Sequence, residues 1–242
     1  MDVIRRPGFA REDLRARYDI KEVIEDDWHS HTDSVTKSVL ARHLQSLDLG
    51  KEDWVLNAGA GVTNLHLQEG SELPLDLFSA PIADRKHAVC GSIVQLPFKS
   101  HVFRAAVCVG EVLAYCDPND AIMELARVVR PGGIIICDFG STKSWRHIGT
   151  SRFGRAAVVL SSEYNGSDER TWIYDPSYIL RLMTKHGLVV RFMYGAHAWS
   201  TIARRFGIST RVALAVEQRL QRVVDVWERS DTVTVVAELA TA

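Results

Sequence analysis

From Trp54 onward the apolar residues of the chain come in short runs: Trp54–Ala58, Leu73–Phe78, Ala88–Gly91, Ala105–Gly110, Gly133–Asp138, Leu188–Tyr194 and Thr232–Leu239. Runs of that length between turn residues read as strands, and they predict seven. Several lack polar alternation, the pattern of parallel strands covered by helices on both faces. The intervening segments switch to helical spacing. Asp117-Pro118 supplies a cap and a first-turn proline ahead of Ile122, Leu125, Ala126 and Val129, and Pro131-Gly132-Gly133 ends that helix. Asp175-Pro176 repeats the device ahead of Ile179, Leu182 and Met183, with Gly187 as the left-handed residue past its end. Strands alternating with helices predict an α/β fold, a doubly wound, seven-stranded, mostly parallel sheet.

Residues 1–50 carry no strand-like run. Val35, Val39, Leu40, Leu44 and Leu47 fall at helical spacing behind a capping candidate, Asp33, which predicts an N-terminal helical cap over 1–50 on an α/β domain over 51–242. Without repeats or a linker-like stretch, the two are expected to form a single compact unit.

Composition narrows the function classes. With 46% hydrophobic and 24% charged residues the chain is of ordinary globular make-up, and 29 basic against 30 acidic residues give a net charge of −1. No global field attracts a polyanion, so nucleic acid is not expected as a partner. Cys90, Cys108, Cys116 and Cys137 form no CxxC pair and read as reduced thiols. No apolar run approaches the roughly 18 residues that span a bilayer, and the N-terminus lacks an apolar signal core. A cytoplasmic protein with no membrane partner is expected. His29 and His31, among Asp26, Asp27 and Asp33, lack the i,i+4 spacing of paired ligands on a helix, and no metal is expected.

Chemistry concentrates at the ends of the strands. The first runs into Asn57-Ala58-Gly59-Ala60-Gly61, a Gly-x-Gly turn that lets a ligand approach the backbone, and Asp76 ends the second, where a carboxylate can accept the hydroxyls of a ribose. Gly91-Ser92, Leu96-Pro97-Phe98, Glu111-Val112-Leu113 and Arg127-Val128-Val129-Arg130-Pro131-Gly132-Gly133 follow in order.

With these blocks in register, residues 54–140 resemble the class I S-adenosylmethionine-dependent methyltransferases, particularly those acting on small molecules. The resemblance implies a Rossmann-like methyltransferase fold and S-adenosylmethionine as cofactor. It implies that Asn57, Ala58, Gly59, Ala60 and Gly61 cradle the methionine part, that Asp76 holds the ribose, that Ser92 and Ile93 flank the adenine, and that Glu111 begins the segment beneath the sulfonium. The family usually has acids where Asn57 and Ser92 stand, a third glycine at Thr63 and Asp at Arg104. If those substitutions act only through lost charge, an acid restored at position 57 or 92 should tighten cofactor binding. The alternative reading is a catalytically silent, methyltransferase-like binding or regulatory partner.

On the acceptor side, methyl transfer needs a general base only for a hydroxyl or protonated amine, and His29, His31, Glu111, Tyr115 and His147 are the candidates. Tyr115 stands where many relatives carry His. Between Asp138 and Glu163 lie Lys143, Arg146, His147, Arg152 and Arg155 with no acid among them. Either this is a solvated loop, or Arg146 and Arg152 grip an anionic group of a small-molecule substrate. Trp172 and Tyr174 are candidate substrate contacts, with packing of the cap as the plainer reading.

Overall fold

The computed structural model describes residues 26–67, 70–164, 167–220 and 226–241. Helix α1 (Asp27–Gln45) is followed by β1 (Trp54–Ala58), β2 (Ser71–Asp76), β3 (Val89–Cys90), β4 (Phe103–Cys108), α2 (Pro118–Val128) and β5 (Val129–Gly140). Then come β6 (Ala157–Tyr164), β7 (Ser167–Tyr174), α3 (Pro176–Lys185), β8 (Leu188–Ala196), α4 (Trp199–Arg205), α5 (Thr210–Leu220) and β9 (Thr232–Leu239).

Seven strands form one sheet in the order β3-β2-β1-β4-β5-β9-β8. Its pairs from β3 to β5 are parallel, and β9 runs antiparallel to both β5 and β8. The chain winds outward from β1 to β3, then crosses to β4 on the other side. Strand order therefore reverses between β1 and β4, where open α/β sheets leave a crevice at the carboxyl ends of their strands.

Side-chain alternation along β1 sorts the core into two layers. Leu56 joins Leu75, Phe103 and Phe139 beneath α2 and α3, with Leu125 and Met183 as their apolar teeth. Val55 faces the other way with Val107, Ile136 and Val236, beneath Val39, Leu40 and Leu44 of α1. Both Asp-Pro pairs cap as the sequence implies: Asp117 accepts from the Asn119 N–H and Asp175 from the Ser177 N–H.

Two expectations change. The cap of α1 is Asp26, whose carboxylate accepts from the His29 N–H, while Asp33 lies inside the helix paired with Lys37. Helical character before residue 26 lies outside the described residues. Second, β6 and β7 pair as a two-stranded antiparallel hairpin, attached to the sheet by a bridge between Ser141 and Tyr174. The short segment from Gly61 to Leu96 leaves little room for full helices beside β2: between β1 and β2 the described residues contain no helix, and between β2 and β3 only the short turn Ala80–Ile82. A polar brace stands there instead. Asn57 Nδ2 donates to the Thr63 carbonyl (3.0 Å) and to Glu72 Oε1 (2.8 Å), and Glu72 Oε2 accepts from the Leu65 N–H. Arg85 pairs with Glu72 and donates to the Thr63 carbonyl at 2.7 Å.

Candidate active site

The Gly-x-Gly turn is stitched to β2 at the carboxyl edge of the sheet. The N–H groups of Gly59 and Ala60 both donate to the Leu75 carbonyl, and the Gly61 N–H donates to Asp76 Oδ2 at 2.9 Å. Asp76 Oδ1 accepts from Phe78, so the carboxylate is held by two backbone donors and each oxygen keeps a lone pair for a further hydroxyl. Gly59 has φ +73°, and a Cβ there would come within 2.5 Å of Val112. A Cβ on Gly61 (φ +47°) would meet nothing within 4 Å, and the same holds at Gly110, across the crevice on the segment after β4. The two positions face open space at the strand reversal.

Asn57 does not line that space. It is 1% exposed, and its amide nitrogen is directed at Thr63 and Glu72, so its side chain braces the turn from behind. Ala58 is likewise fully buried. Beyond β3, Ser92 is half-buried and bridges to Gln95, while Ile93 is buried in the core layer with Leu75 and Leu96.

The other wall begins at Glu111, which adopts left-handed geometry (φ 58°) as the N-cap of the turn Val112–Tyr115. The strain of such a conformation is offset from below: Asp138, on β5, accepts from the N–H of Gly110 (3.0 Å) and of Glu111 (2.7 Å). Glu111 Oε1 in turn accepts from Thr232 Oγ1 at the start of β9 (2.9 Å). Burial, joined by the nearby Glu111 carboxylate, pushes Asp138 up to about 7, against the lowering effect of its two N–H donors. Two carboxyl groups, one buried and one half-buried, thus stand together at the ends of β4 and β5 with a hydroxyl beside them. Asp138 and Thr232 were not singled out from the sequence, although Asp138 closes a predicted strand where such a site belongs.

The remaining candidates separate. Tyr115 is half-buried at the far end of the Val112–Tyr115 turn. His29 is exposed and paired with Asp26, the cap of its own helix. His31 is buried beside His197, whose ring stacks on Trp28 at 3.7 Å and bonds to Thr32 and Ser200. Burial lowers His197 to about 3 and lowers His31 as well, so this cluster fastens α1 to the end of β8 in neutral form. His29 and His31 thus stand on one helix, the first exposed and the second inside. His147 is buried with its pKa lowered by that burial, beside Asp231, Arg146 and Arg152.

Tyr174 is fully buried and donates its hydroxyl to the Leu113 carbonyl at 3.0 Å, so it holds the Glu111 turn from beneath. Trp172 is buried in the same core layer. Arg146 lies 2.5 Å from Asp231 Oδ2, an ionic contact without hydrogen-bond alignment, and its guanidinium sits over Trp28; Arg152 is exposed. Of the two arginines expected to grip a substrate anion, the first therefore already has a carboxylate.

The Leu96-Pro97-Phe98 block and the Arg127 segment, away from the crevice, are joinery. Glu124 accepts from the Leu96 N–H, and Arg127 pairs with Glu124 while donating to the carbonyls of Leu96 and Phe98. Glu124 is buried and Arg127 part-buried, and the pair locks the Leu-Pro-Phe loop onto α2.

A family model of a methyltransferase domain matches residues 56–137, from the glycine turn to the end of β5's apolar run. Over 105 residues the chain is 30% identical to a demethylmenaquinone methyltransferase of Mycolicibacterium paratuberculosis, covering 40% of this chain and 46% of that protein. The chain thus spans about half the length of the curated relative it matches. Among solved structures, an S-adenosylmethionine-dependent methyltransferase of Clostridium acetobutylicum superposes with a TM-score of 0.60 at 12% identity, over 95% of this chain and 99% of that one. A geranyl diphosphate C-methyltransferase of Streptomyces coelicolor, crystallised with Mg2+, geranyl diphosphate and S-adenosyl-L-homocysteine, superposes with a TM-score of 0.59 at 14% identity, over 98% and 99%. At these identities the structures speak for the fold, while the domain match covers the glycine turn, Asp76 and Glu111 alike. Residues 56–137 thus match a methyltransferase domain, and the chain as a whole has the fold of the S-adenosylmethionine-dependent methyltransferases it superposes on.

Proposed function

We propose that the chain transfers a methyl group from S-adenosylmethionine to a small-molecule acceptor, with Glu111 as the residue that receives the acceptor's proton. The observation that carries this reading is the geometry of Glu111: a left-handed residue just past β4 whose N–H, with that of Gly110 before it, donates to Asp138, and whose carboxylate is oriented by Thr232. A group held in that conformation is usually held for a reason, since the strain costs of the order of 1 kcal/mol or more.

The residues fit the cofactor. Gly61 and Gly110 leave open the ground on which an extended ligand would lie, and a Cβ at either position would intrude on it. Asp76, fixed at the end of β2, retains lone pairs for the ribose hydroxyls. Ser92, just past β3, offers a hydroxyl near the adenine end. Bound there, S-adenosylmethionine supplies an already activated methyl on its sulfonium. The chain's own work is to hold the acceptor in line with that methyl, keep water out and take up a proton when the acceptor is a hydroxyl or protonated amine. Methyl-transferring relatives of this fold include one that acts on demethylmenaquinone and one that acts on geranyl diphosphate, which supports a small organic acceptor.

Calorimetric titration with S-adenosylhomocysteine tests the reading directly. Saturable binding in the micromolar range is expected, retained in Glu111→Gln. No heat at millimolar ligand would overturn methyl transfer and leave the non-catalytic binding partner as the function of the chain.

A further inference from the structure

The turn between α4 and α5 presents Arg204, Arg205, Phe206, Gly207, Ile208 and Ser209 to solvent one after another. Phe206 is 79% exposed, more than any other large apolar residue described, and Val212 on the next helix is 53% exposed. The turn has a defined shape: the N–H groups of Phe206 and Ile208 both bond to the Ala203 carbonyl, and Gly207 takes the left-handed conformation that ends a helix. The apolar side chains it displays are not strays from an unfinished core, because the inner faces of these helices are already packed. Ala203, Ala213 and Leu214 are buried, and Glu217 accepts from the N–H groups of Ala198 and Ser200.

Charge reinforces the pattern. Between residues 197 and 220 the single acid is Glu217, which is buried, whereas Arg204, Arg205, Arg211 and Arg219 are exposed. Arg205 donates to the Ile148 carbonyl and so joins this turn to the acid-free stretch 143–155, where Ile148 and Phe153 are also exposed. Carboxylates do stand near its border: Asp26 and Asp27 begin α1 beside Trp28, over which Arg204 lies, and Glu228 precedes Arg229, whose guanidinium sits over Phe153. They rim the surface and do not enter the Arg204–Ile208 turn. On a chain of net charge −1, the positive field here is local.

We propose that this surface docks on an anionic lipid bilayer, with Phe206 and Ile208 entering the boundary between headgroups and acyl chains while Arg205 and Arg211 pair with lipid phosphates. Apolar tips ringed by arginine, with their backbone polar groups bonded within the helix end, match the chemistry of an interfacial anchor. The sequence-based expectation of no membrane partner rests on the lack of a spanning segment; among the described residues no helix is long and apolar enough to cross a membrane, and interfacial docking requires none. The proposal goes beyond methyl transfer and does not depend on it.

The test is co-sedimentation of the full chain with vesicles of phosphatidylglycerol or of phosphatidylcholine, at low and high salt. Binding to the anionic vesicles at least tenfold stronger than to the zwitterionic ones, weakened by salt, is expected. Phe206→Ser with Ile208→Ser should reduce that partition tenfold or more at unchanged melting temperature, and Arg205→Gln with Arg211→Gln should reduce it and flatten its salt dependence. Absence of binding to anionic vesicles overturns the proposal, as does full binding by the serine variant. Retention on immobilised polyglutamate without vesicle binding overturns it too, in favour of an acidic protein partner.

Discussion

The Asn57 amide is a hydrogen-bond donor to Glu72 Oε1, at 2.8 Å across two neighbouring parallel strands, and Arg85 pairs with the same carboxylate oxygen. An amide at this position is therefore matched to a carboxylate, and the polar brace ties the glycine turn to β1 and β2 in a stretch whose described residues form no helix. An acid at position 57 would face Glu72 and the Thr63 carbonyl with no proton to offer.

Asn57→Asp is accordingly expected to destabilise the fold by about 2 kcal/mol, from a lost donor and a like-charge contact. In a chain of this size that lowers the melting temperature by roughly 4–8 °C. The lack of charge at position 57, considered alone, argues the opposite outcome, a tighter cofactor site. Thermal unfolding of the variant with and without S-adenosylhomocysteine distinguishes the two: an unchanged melting temperature with stronger ligand stabilisation would refute the brace.

Asp138 predicts a pH dependence with a definite sign. Its folded pKa, about 7, lies above the ordinary carboxylate value of 3.8, so the native state holds a proton that the unfolded chain releases. Stability from this group is fully present below about pH 4 and is lost as pH rises through 7. Between these limits unfolding free energy should fall by up to about 1.4 kcal/mol per pH unit relative to Asp138→Asn, which cannot titrate. Denaturant titrations of both proteins at pH 5 and pH 8 check it. Parallel curves would place the proton elsewhere.

What was legible in the sequence follows from how locally each feature is determined. The strands of the sheet and helices α2 and α3 are set by apolar runs, Asp-Pro caps and glycine stops, and these stand within a few residues of one another. The hairpin β6–β7 also has a local basis, two neighbouring runs rich in Val, Thr, Trp and Tyr. The basic stretch before it carries no such signal and reads as a loop. Other features depend on distant partners. Asp26 and Asp33 are equivalent caps by residue type, and the choice between them is made by where α1 meets His197 of the far β8 end. Asn57 finds Glu72 only once two strands pair, and Glu111 finds Thr232 across 121 positions of sequence. A short-range pattern names the residue in these cases without its contact.

Gly61 and Gly59 should respond differently to the same substitution. Gly61→Val directs a side chain into open ground at a positive φ, so a stability loss of about 1–2 kcal/mol is expected together with loss of any melting-temperature gain from S-adenosylhomocysteine. Gly59→Ala, whose Cβ would press on Val112, should instead disturb the Glu111 turn and lower stability more, though it adds fewer atoms. Undiminished ligand stabilisation in Gly61→Val would remove the cofactor site from this turn.

Arg146 and Arg152 provide the remaining test, on the acceptor side. Asp231 is anchored by Ser144 and the Arg146 guanidinium while its backbone carbonyl accepts from Ser141, so it joins the loop after β5 to the start of β9 next to Thr232. Removing the guanidinium leaves a mostly buried carboxylate short of its cation. Arg146→Ala should therefore cost about 1–2 kcal/mol and lower the melting temperature by a few degrees, whereas Arg152→Ala, at an exposed position, should leave it unchanged. A structural Arg146 also makes a cycle: once Asp231→Asn has removed the charge, Arg146→Ala should cost markedly less than in the wild type. If the two substitutions instead act independently and Arg146→Ala leaves the melting temperature untouched, the guanidinium is free for a substrate anion after all, and acceptor KM becomes the quantity that Arg146 controls.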